Sequence, residues 1–126
     1  MIFSVIIPAS KKDAESQNLK DLIASIKAQD FPQDQIEILV ITEGDSEQAK
    51  GIGIKRAKGE ICAMFCADNM IMDKDLFSNA KAILEKSEGC YTWFYYLNPK
   101  DNSLNRYFSL MGGNDPICYY LGKNDR

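Results

Sequence analysis

Ile2-Phe3-Ser4-Val5-Ile6-Ile7 is the stretch that decides the fold class, because a strand formed here would be apolar on both of its faces. Such a run is typical of a strand buried on both sides within a parallel sheet. Two further runs, Ile36-Glu37-Ile38-Leu39-Val40-Ile41 and Ile61-Cys62-Ala63-Met64-Phe65-Cys66, also predict strands. The first seventy residues therefore predict three strands of one sheet.

Helical periodicity separates these strands. Before the second strand, apolar residues recur at the spacing of one helix face, namely at Leu19, Leu22, Ile23 and Ile26. Asn18 or Ser16 can cap this helix, and Phe31-Pro32 stops it. Residues 46–58 predict a second helix, which contains Gly51 and Gly53.

Glycine lowers helix stability by about 1 kcal/mol relative to alanine, so these two positions indicate close packing or a nearby ligand. A third helix follows the third strand, with Asp73 as its predicted cap and Leu76, Ala80, Ile83 and Leu84 as its apolar face.

The order strand, helix, strand, helix, strand, helix predicts an α/β fold. Because crossovers between parallel strands are right-handed, we expect a Rossmann-like three-layer α/β/α arrangement with a mainly parallel sheet. Downstream, residues 90–97 predict an aromatic strand, 98–102 a turn and 104–111 a short helix. An apolar stretch at 117–121 has no later element to cover it. We therefore expect residues 1–126 to be one domain, the N-terminal part of a longer protein.

The composition narrows the functional classes. The chain has 126 residues, 45% of them hydrophobic and 26% charged, with a formal net charge of −3. An acidic balance argues against a nucleic-acid partner. No histidine is present, which removes the commonest general base and metal ligand. No basic flank or signal peptide precedes the first strand, so we expect a cytoplasmic protein.

The four cysteines have no zinc-site spacing. They stand at 62, 66, 90 and 118, without a C-x-x-C pair. We expect buried, reduced thiols.

Three loops leave the carboxyl ends of the predicted strands: Pro8-Ala9-Ser10-Lys11, Thr42-Glu43-Gly44-Asp45 and Ala67-Asp68-Asn69. In a parallel sheet these ends meet at one edge, where ligands bind. No glycine-rich dinucleotide or P-loop motif is present. Carboxylates at such an edge would accept a phosphate only with Mg²⁺ or Mn²⁺ between them. Lys50 could neutralise further charge.

Each of these features has a simpler interpretation. Asp68-Asn69 and Glu43-Gly44-Asp45 also suit ordinary turns, and Lys50 also suits a solvated helix face. The residues alone predict a metal-assisted binder of nucleotides or diphosphates.

The same residues resemble the opening of the family 2 glycosyltransferases. The resemblance covers about residues 2–80 and is carried by the order and spacing of these segments: Ser4 to Ala9, Leu19 to Pro32, Ile36 to Ile41, Ala49 to Ile61, and Ala67-Asp68-Asn69. It implies a GT-A fold and a nucleotide-diphospho-sugar donor bound with Mg²⁺ or Mn²⁺. It further implies transfer, with inversion, to the hydroxyl of an acceptor sugar or lipid-linked acceptor, as in the synthesis of cell-envelope polysaccharides. The full-length protein would then act at the inner face of the membrane.

The resemblance assigns roles in the first two loops. Pro8 and Ala9 would border the nucleobase, with Ser10 following them in the donor site. Glu43 would accept a hydrogen bond from the base. Thr42 stands where the family has another carboxylate.

Further along, Lys50 would approach the nucleotide, and Asp68 would hold the metal that bridges the phosphates. Cys66 replaces the first aspartate of the family's metal motif, and a thiol there does not bind a hard cation as a carboxylate does. Inversion needs a carboxylate base, for which Asp115 is the candidate within this chain, although the family's base lies mostly beyond residue 126.

Two alternatives stay open. Cys66 and Thr42 also suit a non-catalytic, degenerate module that binds a nucleotide or a protein. A receiver-like or flavodoxin-like domain is the third interpretation, against which Pro8-Ala9 argues, because it takes the place of an acidic or phosphate-binding loop.

Overall fold

A computed structural model describes residues 1–90, 103 and 104. The chain divides into two compact units, Met1–Lys86 and Ser87–Arg126. The predictions for Asp115 and for the apolar stretch at 117–121 lie outside the described residues. So do the turn and, apart from Cys90 and Leu104, the aromatic strand and the short helix. The prediction of a single domain over 1–126 stays a prediction.

The first unit alternates strands and helices. Its strands are β1 (Phe3–Pro8), β2 (Ile36–Ile41) and β3 (Ile61–Met64), and its α-helices are α1 (Gln17–Lys27), α2 (Ser46–Arg56) and α3 (Leu76–Leu84). Two short 3-10 helices, Asp13–Glu15 and Gln33–Gln35, precede α1 and β2. The predicted α/β class is confirmed.

The strands form one parallel sheet in which β1 lies between β2 and β3. Phe3 pairs with Ile36 on one side and with Ile61 on the other. Residues 3–7 are all buried, which confirms the prediction of a strand covered on both faces.

One face of β1 packs against two helices. Phe3, Val5 and Ile7 belong to a buried cluster whose helical members come from α1 and α3: Leu19, Leu22, Ile26 and Phe77. The Phe3 ring lies edge-on to Phe31 and Phe77, with centroids 5.2 and 4.9 Å apart. Burial of one large apolar side chain contributes about 1.5–3 kcal/mol. This cluster has more buried residues than the cluster on the opposite face of the sheet and therefore contributes more to the stability of the fold.

The opposite face packs against α2, through a smaller cluster of Ile6, Ile41 and Ala49. Gly53 brings the helix close to the sheet, because a Cβ there would collide with the Ile6 side chain. Gly51 has open space around the same position. Close packing therefore accounts for Gly53 alone. With α1 and α3 on one face and α2 on the other, the unit is compatible with a Rossmann-like fold.

Several predicted boundaries shift. Ser16 caps α1, accepting a hydrogen bond from the Leu19 amide at 3.2 Å, and α1 ends at Lys27, before Phe31-Pro32. α2 ends at Arg56 rather than at 58, and β3 ends at Met64 rather than at 66.

Two predictions are wrong. The N-cap of α3 is Asp75, not Asp73, and the Asp75 side chain accepts no capping hydrogen bond. Cys62, Cys66 and Cys90 are exposed rather than buried. Among the strands that the structure describes, β3 has a neighbour on one side only, and its residues alternate between half-buried and exposed, with Cys62 at an exposed position. Cys66 follows the strand in the third loop.

None of the helices within the described part of the chain has the length and apolar character that crossing a bilayer requires.

Candidate functional site

The order in which the chain adds strands to the sheet reverses, because β2 and β3 lie on opposite sides of β1. The chain leaves β1 through α1 to reach β2 on one side, and leaves β2 through α2 to reach β3 on the other side. The two connecting helices pack on opposite faces. The carboxyl ends of β1 and β3 therefore flank a topological switch point, where open α/β sheets bind their ligands.

A cleft of about 550 Å³ lies at this position. The residues that line it come from the loops after all three strands and from the starts of α1 and α2: Pro8, Ala9, Ser10, Asp13, Ser16, Asn18, Gly44, Asp45, Ser46, Ala49, Cys66, Ala67 and Asp68. The predicted convergence of the three loops is confirmed.

The first loop forms the wall next to β1. The Ala9 amide continues the ladder by donating to the Ile41 carbonyl at 3.0 Å. The Ser10 hydroxyl donates to the Asp13 carboxylate at 2.6 Å and accepts from the Asp13 amide at 3.1 Å. This reciprocal pair shapes the 3-10 turn that brings Asp13 and Ser16 to the cleft. Pro8, Ala9 and Ser10 thus line the cleft.

The second loop closes on the start of α2. Gly44 has φ +74°, a conformation that favours glycine. Asp45 and Gln48 form a capping box, with the Asp45 carboxylate accepting from the Gln48 amide at 2.8 Å and the Gln48 side chain accepting from the Asp45 amide at 3.1 Å. The N-terminus of a helix attracts anions. At the N-terminus of α2, the Asp45 carboxylate already takes that role.

Glu43 is not among the residues that line the cleft. Its carboxylate accepts two hydrogen bonds from the Arg56 guanidinium, each of 2.9 Å, and both side chains are about half exposed. The hydrogen bonds from Arg56 lower the pKa of Glu43. The carboxylate proposed to recognise a base is therefore paired with the last turn of α2.

Lys50 is likewise outside the lining residues. Its ammonium group donates to the Glu47 carboxylate at 2.6 Å. That hydrogen bond is the main cause of the raised pKa of Lys50, and the nearby Cys66 thiol contributes a smaller electrostatic effect. The charge of Lys50 is thus offset by Glu47.

The third loop is a tight turn after β3. The Cys66 amide donates to the Asn69 side-chain oxygen at 2.7 Å, and the Asn69 amide donates back to the Cys66 carbonyl at 3.0 Å. Asp68 lies within this turn, exposed and lining the cleft with Cys66. The tight turn that the sequence also suggested therefore lines the cleft.

Residues 1–90 contain no group of three or more cysteine, aspartate or glutamate side chains close enough to hold a metal ion on their own. Mg²⁺, however, is commonly bound by one or two carboxylates together with phosphate oxygens of the substrate. Asp68 fits that mode, in which the remaining ligands come from a diphosphate and water.

Sequence reasoning missed Asp13, Ser16 and Asn18, which line the cleft between β1 and α1. The i, i+3 spacing of Ser10 and Asp13 was the available signal, because it suits a side-chain-closed turn. The spacing alone does not show that this turn faces the cleft, because its direction depends on where α1 begins.

Comparison of the chain with protein-family models, with curated proteins and with solved structures gives no match.

Proposed function

We propose that this chain is the donor-binding part of an inverting, family 2-like glycosyltransferase with a GT-A fold. It binds a nucleotide-diphospho-sugar together with Mg²⁺ or Mn²⁺, for transfer to the hydroxyl of an acceptor sugar or lipid-linked acceptor. The observation that carries the proposal is the cleft at the β1 switch point, lined by loops from all three strands and by Asp68.

The size and chemistry of the cleft support such a ligand. A volume of about 550 Å³ falls within the range of roughly 300–1,000 Å³ that is usual for small-molecule sites. Asp13 and Asp45 offer carboxylate oxygens, which accept hydrogen bonds from sugar hydroxyls and from base N–H groups. The first two loops therefore suit the nucleoside half of the donor.

The charge of the cleft supports a metal. Asp13, Asp45 and Asp68 are the charged side chains among its described lining residues, which include no lysine or arginine. A diphosphate entering alone would be repelled by these three carboxylates. A divalent cation at Asp68 would remove that repulsion and stabilise the leaving nucleoside diphosphate.

A binding titration tests the proposal. Uridine and guanosine diphosphates should bind the chain in the presence of Mn²⁺, and binding should weaken at least tenfold when Mn²⁺ is chelated. Asp68→Asn should abolish the metal dependence. Asp34→Asn is the matched control, because Asp34 lies in the 3-10 helix before β2, at the opposite end of the sheet. Failure of both nucleotides to bind with Mn²⁺ would refute the proposal.

Cys66 favours a second candidate, a non-catalytic module that keeps the donor-site shape. Its thiol lines the cleft next to Asp68, where the resemblance leads us to expect a carboxylate. Cys66→Asp distinguishes the two candidates. A steep gain in Mn²⁺-dependent binding would indicate a degenerate natural site, whereas strong binding by the unmodified chain would show that the thiol is tolerated. Asp115 stays the predicted base and lies outside the described residues.

A further inference from the structure

Gln29 is the most buried side-chain amide of the described chain, with 7% of its surface exposed. It follows α1, two residues after the helix ends at Lys27. A buried amide is unfavourable unless its donors and acceptor find partners, so the partners of Gln29 indicate what the residue is for.

Those partners lie mainly in the segment that follows the third loop. The Gln29 side-chain nitrogen donates to the Asp73 carbonyl at 2.6 Å and to the Ser25 carbonyl at 3.3 Å. Its side-chain oxygen accepts from the Leu76 amide at 3.1 Å. One side chain thus connects the end of α1 to both the approach and the first residue of α3.

Neighbouring groups strengthen this connection. The Asp30 amide donates to the Lys74 carbonyl at 2.7 Å, and the Ile71 amide approaches the Ser25 hydroxyl at 3.4 Å. Residues 70–75 belong to no helix or strand. Bonds to the end of α1, together with the packing of Ile71 against the core, therefore hold this segment in place.

Asp68 lies at the other end of the same segment. The turn between Cys66 and Asn69 closes on itself, and the chain then runs directly to the residues that Gln29 and Ser25 contact. The turn is thus held from two sides: by β3, where the Phe65 amide donates to the Ile6 carbonyl at 3.1 Å, and by the bonds to residues 71–76.

We infer that Gln29 is a positioning residue for the metal-binding loop: it orients Asp68 toward the cleft without lining the cleft itself. The inference rests on the proposed function, which gives Asp68 its ligand.

Gln29→Leu and Gln29→Glu test the inference. The leucine removes all three hydrogen bonds, whereas the glutamate keeps an acceptor for the Leu76 amide and loses the donor to Asp73. Ser4→Ala is the matched control, because it also removes a buried hydrogen-bonding side chain but one that contacts Glu37 and Gly59 instead. All variants are compared under conditions where circular dichroism shows them folded.

Two quantities are measured. The first is amide hydrogen exchange at Asn69 and Ile71, neither of which bonds to Gln29 directly. The second is the Mn²⁺-dependent affinity for uridine diphosphate. We expect Gln29→Leu to raise exchange at both amides at least tenfold and to weaken binding at least fivefold. Gln29→Glu places a carboxylate oxygen against the Asp73 carbonyl and should change both quantities in the same direction. Ser4→Ala should change neither quantity.

The outcomes separate the two proposals. Unchanged exchange at Asn69 and Ile71, or unchanged nucleotide affinity despite faster exchange, overturns the role of Gln29 while leaving the proposed function in place. An equal loss of affinity in Ser4→Ala overturns it as well, because the effect would then be general destabilisation. Failure of the unmodified chain to bind any nucleotide with Mn²⁺ refutes the proposed function and, with it, the use assigned to Gln29. Should Gln29→Leu not fold, Gln29→Glu carries the same comparison.

Discussion

The Ser4 hydroxyl donates a 2.5 Å hydrogen bond to the Glu37 carboxylate, linking β1 to β2 in the middle of an apolar sheet. Ser4 is completely buried. Its oxygen also accepts from the Gly59 amide at 2.7 Å, and Glu37 accepts from the Lys58 amide at 2.5 Å. This network attaches the loop before β3 to both of the other strands. The buried Ser4 hydroxyl therefore has both a hydrogen-bond acceptor and a donor.

Glu37→Gln tests the pH dependence of this network. The Ser4 hydrogen bond is the largest cause of the lowered pKa of Glu37, followed by the bond from Lys58. A carboxyl group whose folded pKa is depressed stabilises the fold above its unfolded pKa, about 4.3 for glutamate, and this contribution is lost as the pH falls below that value. Urea unfolding of the unmodified chain should therefore show a loss of stability below about pH 4.5 that is smaller in Glu37→Gln.

Glu15→Gln serves as the control, since Glu15 is an exposed carboxylate of the 3-10 helix before α1. Equal acid sensitivity of all three proteins would show that Glu37 does not contribute to it.

The two glycines of α2 should respond to alanine in opposite directions. Gly51→Ala meets open space and should stabilise the chain by about 0.5–1 kcal/mol, because alanine favours the helix. Gly53→Ala forces a methyl group into Ile6 and should destabilise it by about 1–3 kcal/mol. Denaturant unfolding measures both free energies. A stabilising Gly53→Ala would mean that α2 can move away from the sheet at little cost.

Gly44→Ala should damage the cleft as well as the stability of the fold. The φ of +74° is unfavourable for alanine, and a Cβ there would lie 2.5 Å from the Gln48 side-chain oxygen that completes the capping box. We expect a loss of about 1–2 kcal/mol from strain and the lost cap, together with weaker Mn²⁺-dependent nucleotide binding.

Gln48→Ala separates these two effects, because it removes one half of the capping box but leaves the backbone of Gly44 unstrained. If it weakens nucleotide binding as much as Gly44→Ala, the cap rather than the loop conformation matters for the cleft.

The parallel sheet and the meeting of its loops were predictable because they follow from local patterns. The apolar run at 2–7 predicts a doubly buried strand, and helical spacing between strands makes the crossovers parallel. Directions of individual side chains were not predictable in the same way. Glu43 and Asp45 are two residues apart in one acidic loop, yet Glu43 pairs with Arg56 while Asp45 lines the cleft and caps α2.

The cysteines and the cap of α3 show a second limit. Cys62 was predicted to be a buried, reduced thiol because the cysteines lack zinc-site spacing, but it is exposed on β3, which is the outermost of the described strands on its side, and that position is a property of the whole sheet. Aspartate is a residue type that commonly caps helices, which is why Asp73 was predicted. The Leu76 amide instead donates to the side chain of Gln29, which follows α1. A partner that is distant in sequence replaced the local one, and no local pattern encodes that choice.

Cys66 and Cys62 provide a test of where the ligand binds. Both thiols are exposed, so both should react readily with a thiol reagent, but Cys66 lines the cleft and Cys62 does not. We expect uridine diphosphate with Mn²⁺ to slow the labelling of Cys66 several-fold and to leave Cys62 unaffected. Single Cys62→Ser and Cys66→Ser variants assign the labelled peptides in mass spectrometry. Because Cys62 lies in β3, the strand that leads into the loop carrying Cys66, it reports any general tightening of the fold. Equal protection of both thiols would therefore indicate stabilisation of the whole unit, and protection of neither, despite measurable binding, would place the nucleotide away from Asp68.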